Sequence, residues 1–250
     1  MDFITFPLVE LVGRTGFIYK PLASNSDWQP RMTRDGEQLV EFGGRACYRS
    51  WNNPSGRPRD AYIANILEHE HFSVLEHAVL SFWIEGISRA CSHELVRHRH
   101  LSFSMESQRY VPASDINFVL PPSIIGDATL EQIFKDGCHK ALDSYETLLE
   151  HLQRKFDSIP DVRLKRKLVR EAARSMLPNA AETRLLVTGN ARSWREFIQK
   201  RATIHADAEM CRLAVAIFAI LKVELPAIFQ DMALDRATIH DLNREIVVSA

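Results

Sequence analysis

Nowhere does the sequence carry the roughly 18 consecutive apolar residues that a bilayer-spanning helix requires, so no membrane segment is expected. Neither sign of charge is in excess. Thirty-one Lys plus Arg face 32 Asp plus Glu, for a net charge near −1, so no overall field draws the chain to nucleic acid or a membrane surface, and any anion site must be local. Cysteine is sparse: Cys47, Cys91, Cys138 and Cys211 form no C-x-x-C pair, which argues against a structural zinc site or a redox dithiol, and no metal is expected. The opening MDFITFPLVELVGRTG lacks a basic leader and a small-residue cleavage site. It reads as a strand rather than a signal peptide, so a cytoplasmic protein is expected. Internal repeats and low-complexity tracts are also missing.

What remains is the composition of an ordinary globular chain, 46% hydrophobic over 250 residues, ample for a buried core. Loops rich in Pro, Ser, Asn and Gly at 20–35 and 50–60 flank an expected helix at 36–48. A second helix fits 60–69, HAVLSFWIEGI at 77–87 enters the core as a strand, and 87–98 returns to helical spacing. An extended stretch is expected at 101–112, long helices at 128–156 and 160–176, a strand at 183–189, and helices at 191–202 and 206–222. Strands mixed with long helices without regular βαβ alternation indicate an α+β fold, taken as one domain over 1–250.

Four constellations could carry chemistry. In CSHELVRHRHLSFSMESQRY (91–110), a helix over 87–98 would set Glu94 and Arg97 on one face and Cys91, Leu95 and His98 on a neighbouring one. Leu101, Phe103 and Met105 then alternate with Ser102, Ser104 and Glu106, which suits an extended segment buried on one side. The density of Arg, Ser and His donors, with Gln108, points to a phosphorylated ligand, because arginine forks grip phosphate at two points. A solvated polar loop is the plainer alternative. His93 and His98 are five apart, not the four that a metalloprotease helix uses.

The helix at 160–176 carries Arg163, Arg166, Lys167, Arg170 and Arg174 on one stripe, either a solvated face or one turned to an anion, with Arg174 the favoured anion ligand. In residues 188–210, Trp194, Phe197, Ile198, Arg201 and His205 share a helical face, so Arg201 falls on a packing side where a cation needs an acid, a ligand or a route to solvent. Ser193 to Glu196 has capping-box spacing, and Asn190 at the strand-to-helix turn is a second candidate cap. Around His69-Glu70-His71 and Ser73, the histidines do not stack into a metal site, and Glu76 could orient a neighbouring arginine.

Arg97-His98-Arg99, seven residues, then Ser107 resembles the R-H-R-x7-S signature of flavin-dependent thymidylate synthases, and Ser107-Gln108-Arg109-Tyr110 extends the match. Further similarity lies in HFSVLEH at 71–77, ARSMLPNAAET at 173–183, and Asn190-x-Arg192 followed by Arg201, covering roughly 37–220. The resemblance implies a thymidylate synthase-complementing fold, α+β with a mixed, mainly antiparallel sheet flanked by long helices, assembled as a homotetramer. It implies methylation of deoxyuridylate (dUMP) to dTMP with 5,10-methylenetetrahydrofolate and NADPH through bound FAD, and neither nucleic acid nor membrane as partner. By position, Glu94, Leu95, Val96, Arg97, Met105, Glu106, Ser107, Gln108, Arg109, Arg174 and Arg201 would contact dUMP. Ser73, Arg97, His98, Arg99, Met105, Asn190, Ala191, Arg192 and Glu196 would contact FAD. Arg201 is the expected catalytic residue, stabilising charge that develops near N3 of the uracil. Ser107 has no base placed beside it by the sequence and is expected to bind phosphate rather than attack. The chain departs from the pattern at Met105, where Glu or Gln is usual, and at Glu196, where Asn or His is common. Competing readings are another nucleotide-binding flavoprotein such as a flavin reductase, or a nucleic-acid module using the stripe from Arg163 to Arg174.

Overall fold

The computed structural model describes residues 1–20, 28–51, 58, 60–111, 116–239 and 242–249, so the loops expected at 20–35 and 50–60 lie partly outside the described residues, as does Pro112 of the stretch expected to be extended. The strands are β1 (Phe3–Ile4), β2 (Leu8–Arg14), β3 (Val79–Ser88), β4 (Ser102–Met105), β5 (Phe118–Val119), β6 (Glu182–Asn190), β7 (Met232–Ile239) and β8 (Leu242–Ser249). The helices are α1 (Asp35–Tyr48), α2 (Ala61–Glu68), α3 (Arg89–Leu95), α4 (Ala128–Lys155), α5 (Val162–Ala173), α6 (Ala191–Arg201) and α7 (Ala208–Glu224). This is the expected α+β class, with mixed, mainly antiparallel sheets. The principal sheet has the order β2-β3-β6-β4. Period-two patterning seats it. Leu80, Phe82 and Ile84 of β3 and Thr183, Leu185 and Val187 of β6 are buried, while Ser81, Trp83, Glu85, Arg184, Leu186 and Thr188 between them are only partly covered.

Residues 1–8, 84–97 and 104–185 form one compact unit, and 9–83, 98–103 and 186–250 a second; β2, β3, β4 and β6 each contribute residues to both. In the first unit β1 pairs in parallel with β5, Phe3 opposite Phe118. The core behind that pair joins Phe118, Cys138 and Ala181 with Phe3, Phe134 and Leu142. Asp127 caps α4 by accepting from the amides of Thr129 and Leu130, and Asp161 caps α5 through those of Arg163 and Leu164. Tyr145 of α4 and Ala173 of α5 are buried, with Leu148, Leu149 and Leu152 partly buried against them, so the two helices share an apolar seam.

In the second unit Trp194, Phe197, Ile198, Leu213, Ile217, Phe218 and Phe229 are fully buried with Leu80 and Phe82. Phe82 and Phe197 each meet the Trp194 ring edge-on. Buried charge is neutralised locally. Glu41 and Arg45 pair at 2.9 Å within α1, Arg45 lies 4.5 Å from the centre of the Tyr62 ring, and the Glu37 carboxylate accepts from the Ala227 amide.

Several expected boundaries move. The N-terminal strand is two strands, with Pro7, which has no amide hydrogen to donate, between them. The helix expected over 87–98 is α3, Arg89–Leu95, because Ser88 is its cap, accepting from the Cys91 amide at 3.0 Å, and the chain turns at Val96 and Arg97. Extended structure ends at Met105, since the amides of Tyr110 and Val111 both turn back to the Ser107 carbonyl. The helix expected at 160–176 runs from Val162 to Ala173 and tightens into a 3-10 turn at Arg174–Met176. A hairpin of β7 and β8, pairing Met232 with Ser249, closes the chain in a region that periodicity left unread.

Candidate functional site

The expected nucleotide residues other than Arg201 all fall in the first unit: Glu94, Leu95, Val96 and Arg97 on and just past α3, Met105 to Arg109 from the end of β4 into the following turn, and Arg174 at the C-terminus of α5. The expected helical pairing of Glu94 with Arg97 on one face is replaced by a turn in which the Arg97 amide donates to the Glu94 carbonyl at 3.3 Å. Leu95 is buried and anchors α3, while Val96 and Arg97 are exposed. Backbone bonds fix the remainder. The Glu106 amide donates to the Arg184 carbonyl on β6 at 2.9 Å, and Arg170 of α5 donates to the Tyr110 carbonyl, tying the turn at 107–111 to the cationic helix.

Ser107 is half-buried, and its hydroxyl accepts from the Arg109 amide at 3.4 Å; among the described residues no histidine or carboxylate contacts it. Arg97, Arg109 and Arg174 form no ion pair among the described residues. Arg89 was not singled out by the sequence. It reaches the Met105 thioether at 3.5 Å, and burial, followed by the Arg174 cation, lowers its guanidinium from its ordinary value. Two guanidinium groups within electrostatic range of one another, beside a thioether that cannot neutralise them, make a local excess of positive charge suited to a dianion. The only sequence signal for Arg89 was its place just after a core strand.

The expected flavin residues other than Arg97 and Met105 lie in the second unit, and Arg201 lies with them. Ser73 is exposed in the 3-10 turn Phe72–His77, which forms most of HFSVLEH. As expected, Glu76 orients an arginine: its carboxylate accepts from Arg192 at 2.7 Å. The capping box is absent. Asn190 is the cap of α6, accepting from the Ser193 amide at 2.8 Å and its hydroxyl at 2.9 Å, while Glu196 pairs with Lys200 one turn on. That bond to Lys200 holds the Glu196 carboxyl below its usual value. Ala191 begins α6 and donates to the Ala78 carbonyl at 2.7 Å. His98 leaves the face expected of it and accepts from the Arg201 Nε at 3.0 Å. His205 lies beyond the end of α6 and off the face expected to include it.

The loop carrying His98, Arg99 and His100 is seated by one close approach. A Cβ on Gly189 would stand 2.3 Å from Leu101 Cδ2 and 3.2 Å from the Trp194 ring, so only glycine lets buried Leu101 lie against β6. Gly189→Ala is expected to displace Leu101 and destabilise the protein by about 1–3 kcal/mol. An unchanged melting temperature would show that the loop is held elsewhere.

The buried arginine of α6 is Arg195, 5% exposed, and not the half-buried Arg201. It donates to both Asp231 oxygens at 2.7 Å and to the Ile228 carbonyl at 2.5 Å. Among the described residues no helix is long and apolar enough to cross a membrane.

The family described as thymidylate synthase complementing protein matches residues 31–227. The chain is 46% identical over 243 residues to a protein of Mycobacteroides abscessus named flavin-dependent thymidylate synthase, covering 96% of this chain and 94% of the relative. It is 48% identical over 233 residues to the one so named in Mycobacterium bovis, covering 91% and 90%. For the one in Mycobacterium avium the figures are 46% over 235 residues, covering 93% and 92%.

Proposed function

The chain belongs to the thymidylate synthase complementing protein family, that of the flavin-dependent thymidylate synthases, and on that premise we propose that it converts dUMP to dTMP with the sites assigned below. The one-carbon donor is 5,10-methylenetetrahydrofolate and the reductant NADPH, working through FAD. The observation that carries the reading is similarity over nearly the whole chain, which includes every site residue from Ser73 to Arg201.

The first unit supplies the dUMP phosphate site. Arg97, Arg109 and Arg174, joined by Arg89, provide cations with no acidic partner among the described residues, and Ser107 and the turn amides add donors. Glu94 to Arg97 and Met105 to Arg109 line the nucleotide, with Met105 contributing backbone in place of the usual polar side chain. The residues of the second unit fit FAD. Arg99 and Arg192 are exposed cations, and Arg192 stands in the first turn of α6, where the helix dipole favours a pyrophosphate. Ser73, His98, Asn190, Ala191 and Glu196 complete that set; Arg97 and Met105 are assigned to the flavin by the family resemblance alone. Redox chemistry is what bound FAD supplies. The protein's part in the reaction falls to Arg201, whose cation stabilises negative charge growing near N3 of the uracil.

Ser107, without a base, binds phosphate. Ser107→Ala is therefore expected to raise the KM for dUMP while keeping measurable turnover. Complete inactivity with nucleotide affinity intact would reopen the nucleophile reading.

Residues 1–250 act as one domain, a reading supported by the family match that spans both compact units. A cytoplasmic homotetramer fits the half-open face of the main sheet and the apolar side chains Leu8 and Val12 exposed on β2. Small molecules are its ligands, not nucleic acid or membrane.

The decisive experiment is spectral and chemical. The purified protein should show a flavin spectrum, or gain one with FAD, and should form dTMP only with NADPH and methylenetetrahydrofolate present. Absence of any flavin uptake would overturn the assignment. NADPH oxidation without dTMP would indicate a reductase, and steeply salt-dependent nucleic-acid binding without chromophore the other alternative.

A further inference from the structure

An arginine side chain has only donors. The 3.0 Å contact between Arg201 Nε and His98 Nε2 therefore has one chemical interpretation: Nε2 presents its lone pair, the imidazole is neutral, and its proton sits on Nδ1. The pair is built from one helix face. Phe197 and Arg201 are four residues apart on α6, and the His98 ring stands edge-on to Phe197, 5.0 Å between centroids, while accepting from Arg201. The ring is thus clasped by an apolar wall and a cation. His98 comes to this position because the chain leaves α3 at Leu95 and because Leu101 is seated against Gly189.

We propose that His98 is the positioning residue of Arg201: as a neutral acceptor it holds the guanidinium by Nε and aims it at the uracil, and on protonation it lets go. This rests on the reading of Arg201 as the group that stabilises charge on the uracil, and goes beyond the flavin contact assigned to His98 by resemblance. The reasoning is that a guanidinium on a four-bond stem loses substantial rotamer freedom when aimed, and a charge-assisted bond at Nε removes that freedom before the substrate arrives. Protonation places a proton on Nε2. The acceptor is lost and two cations are brought to contact distance.

Among the described residues, the charged groups acting on the ring come from α6. Burial is the largest influence lowering His98 below the ordinary histidine value, followed by the Arg201 and Lys200 cations, with Glu196 acting in the opposite sense. The sign follows. A histidine lowered in the folded state is neutral at neutral pH, so the hold on Arg201 is intact there, and it fails only as pH falls below the usual range near 6.5.

Two measurements test this. In the first, kcat/KM for dUMP is followed against pH for the wild type, His98→Gln and His98→Leu, each with its flavin content recorded. Glutamine keeps an oxygen acceptor and does not titrate, so it should retain activity within about tenfold and lose the acid limb. Leucine should cost about 10- to 100-fold in kcat/KM per flavin bound, the loss of one charge-assisted hydrogen bond. Equal losses in the two variants, or an acid limb that survives in His98→Gln, would overturn the proposal. The second measurement needs neither turnover nor cofactor. Imidazole nitrogen NMR of the apoprotein should find His98 protonated on Nδ1, titrating below 6.5 and moving upward in Arg201→Ala. A proton on Nε2, or a titration indifferent to Arg201, would refute the contact. A wild type that binds FAD and makes no dTMP defeats instead the reading of the site, and leaves the NMR result to stand or fall on its own.

Discussion

Arg201→Ala is expected to lower kcat/KM for dUMP methylation by about two to three orders of magnitude while the protein keeps its flavin. The size follows from removing a cation aimed at charge that exists only as the ring becomes electron-rich, an interaction weaker in the ground state, so kcat should fall with kcat/KM. Flavin retention follows from position. Arg201 ends α6, ten residues after Ala191, whereas Arg192 and Asn190 are at the helix start, and removing the last side chain leaves the Asn190 cap and the Arg192–Glu76 pair intact. Lysine should rescue poorly, since an ammonium has no Nε at that place in the stem for His98 to hold. The readout is dTMP formed per flavin bound. Loss of flavin from the variant, with methylation retained in the holoenzyme that remains, would contradict the role.

Asp231→Ala should produce the largest loss of stability. It would strand the Arg195 guanidinium, 5% exposed between the rings of Phe72 and Phe229, with the Ile228 carbonyl its one remaining acceptor among the described residues. Breaking a buried pair by removing one partner costs about 3–5 kcal/mol, and the 34% exposure of the Asp231 side chain places this case near the lower bound. For a chain of this length that is roughly 6–12 °C in melting temperature. The double variant Arg195→Met with Asp231→Ala should recover much of the loss, because the uncompensated charge is gone. A single variant that melts with the wild type would show that water reaches Arg195. The pair also has a pH signature. Burial by itself would raise the Asp231 carboxyl, but the Arg195 bonds outweigh it and the group titrates below its ordinary value. Its contribution is therefore complete above about pH 4 and is lost as pH falls through the lowered folded value.

The helices and core strands were legible because residue type and periodicity are imprints of burial: the β-branched, apolar run at 183–189 and the 194, 197, 198 face are kept in β6 and α6. Boundaries were less so. Helical spacing continued past Leu95, yet α3 stops there because His98 and Leu101 are engaged by Arg201 and Gly189, residues about a hundred positions away. The capping box of Ser193 and Glu196 was a plausible local pattern that lost to Asn190 one turn earlier and to Lys200 one turn later. The hairpin of β7 and β8 went unread, and with it Asp231, the partner that allows Arg195 to be buried.

From sequence alone came the class of fold, the two sets of candidate ligands and the conspicuous place of Arg201, because hydrophobic period, residue chemistry and a fourteen-residue motif are properties of neighbours along the chain. Tertiary structure decided which arginine is structural and which is poised: Arg195 is neutralised by Asp231, Arg89 lies within range of the Arg174 cation with no ion pair for either among the described residues, and Arg201 is held by a neutral histidine. A charge in a low-dielectric setting takes its energy from whatever lies within a few ångströms, and those neighbours are far apart in sequence.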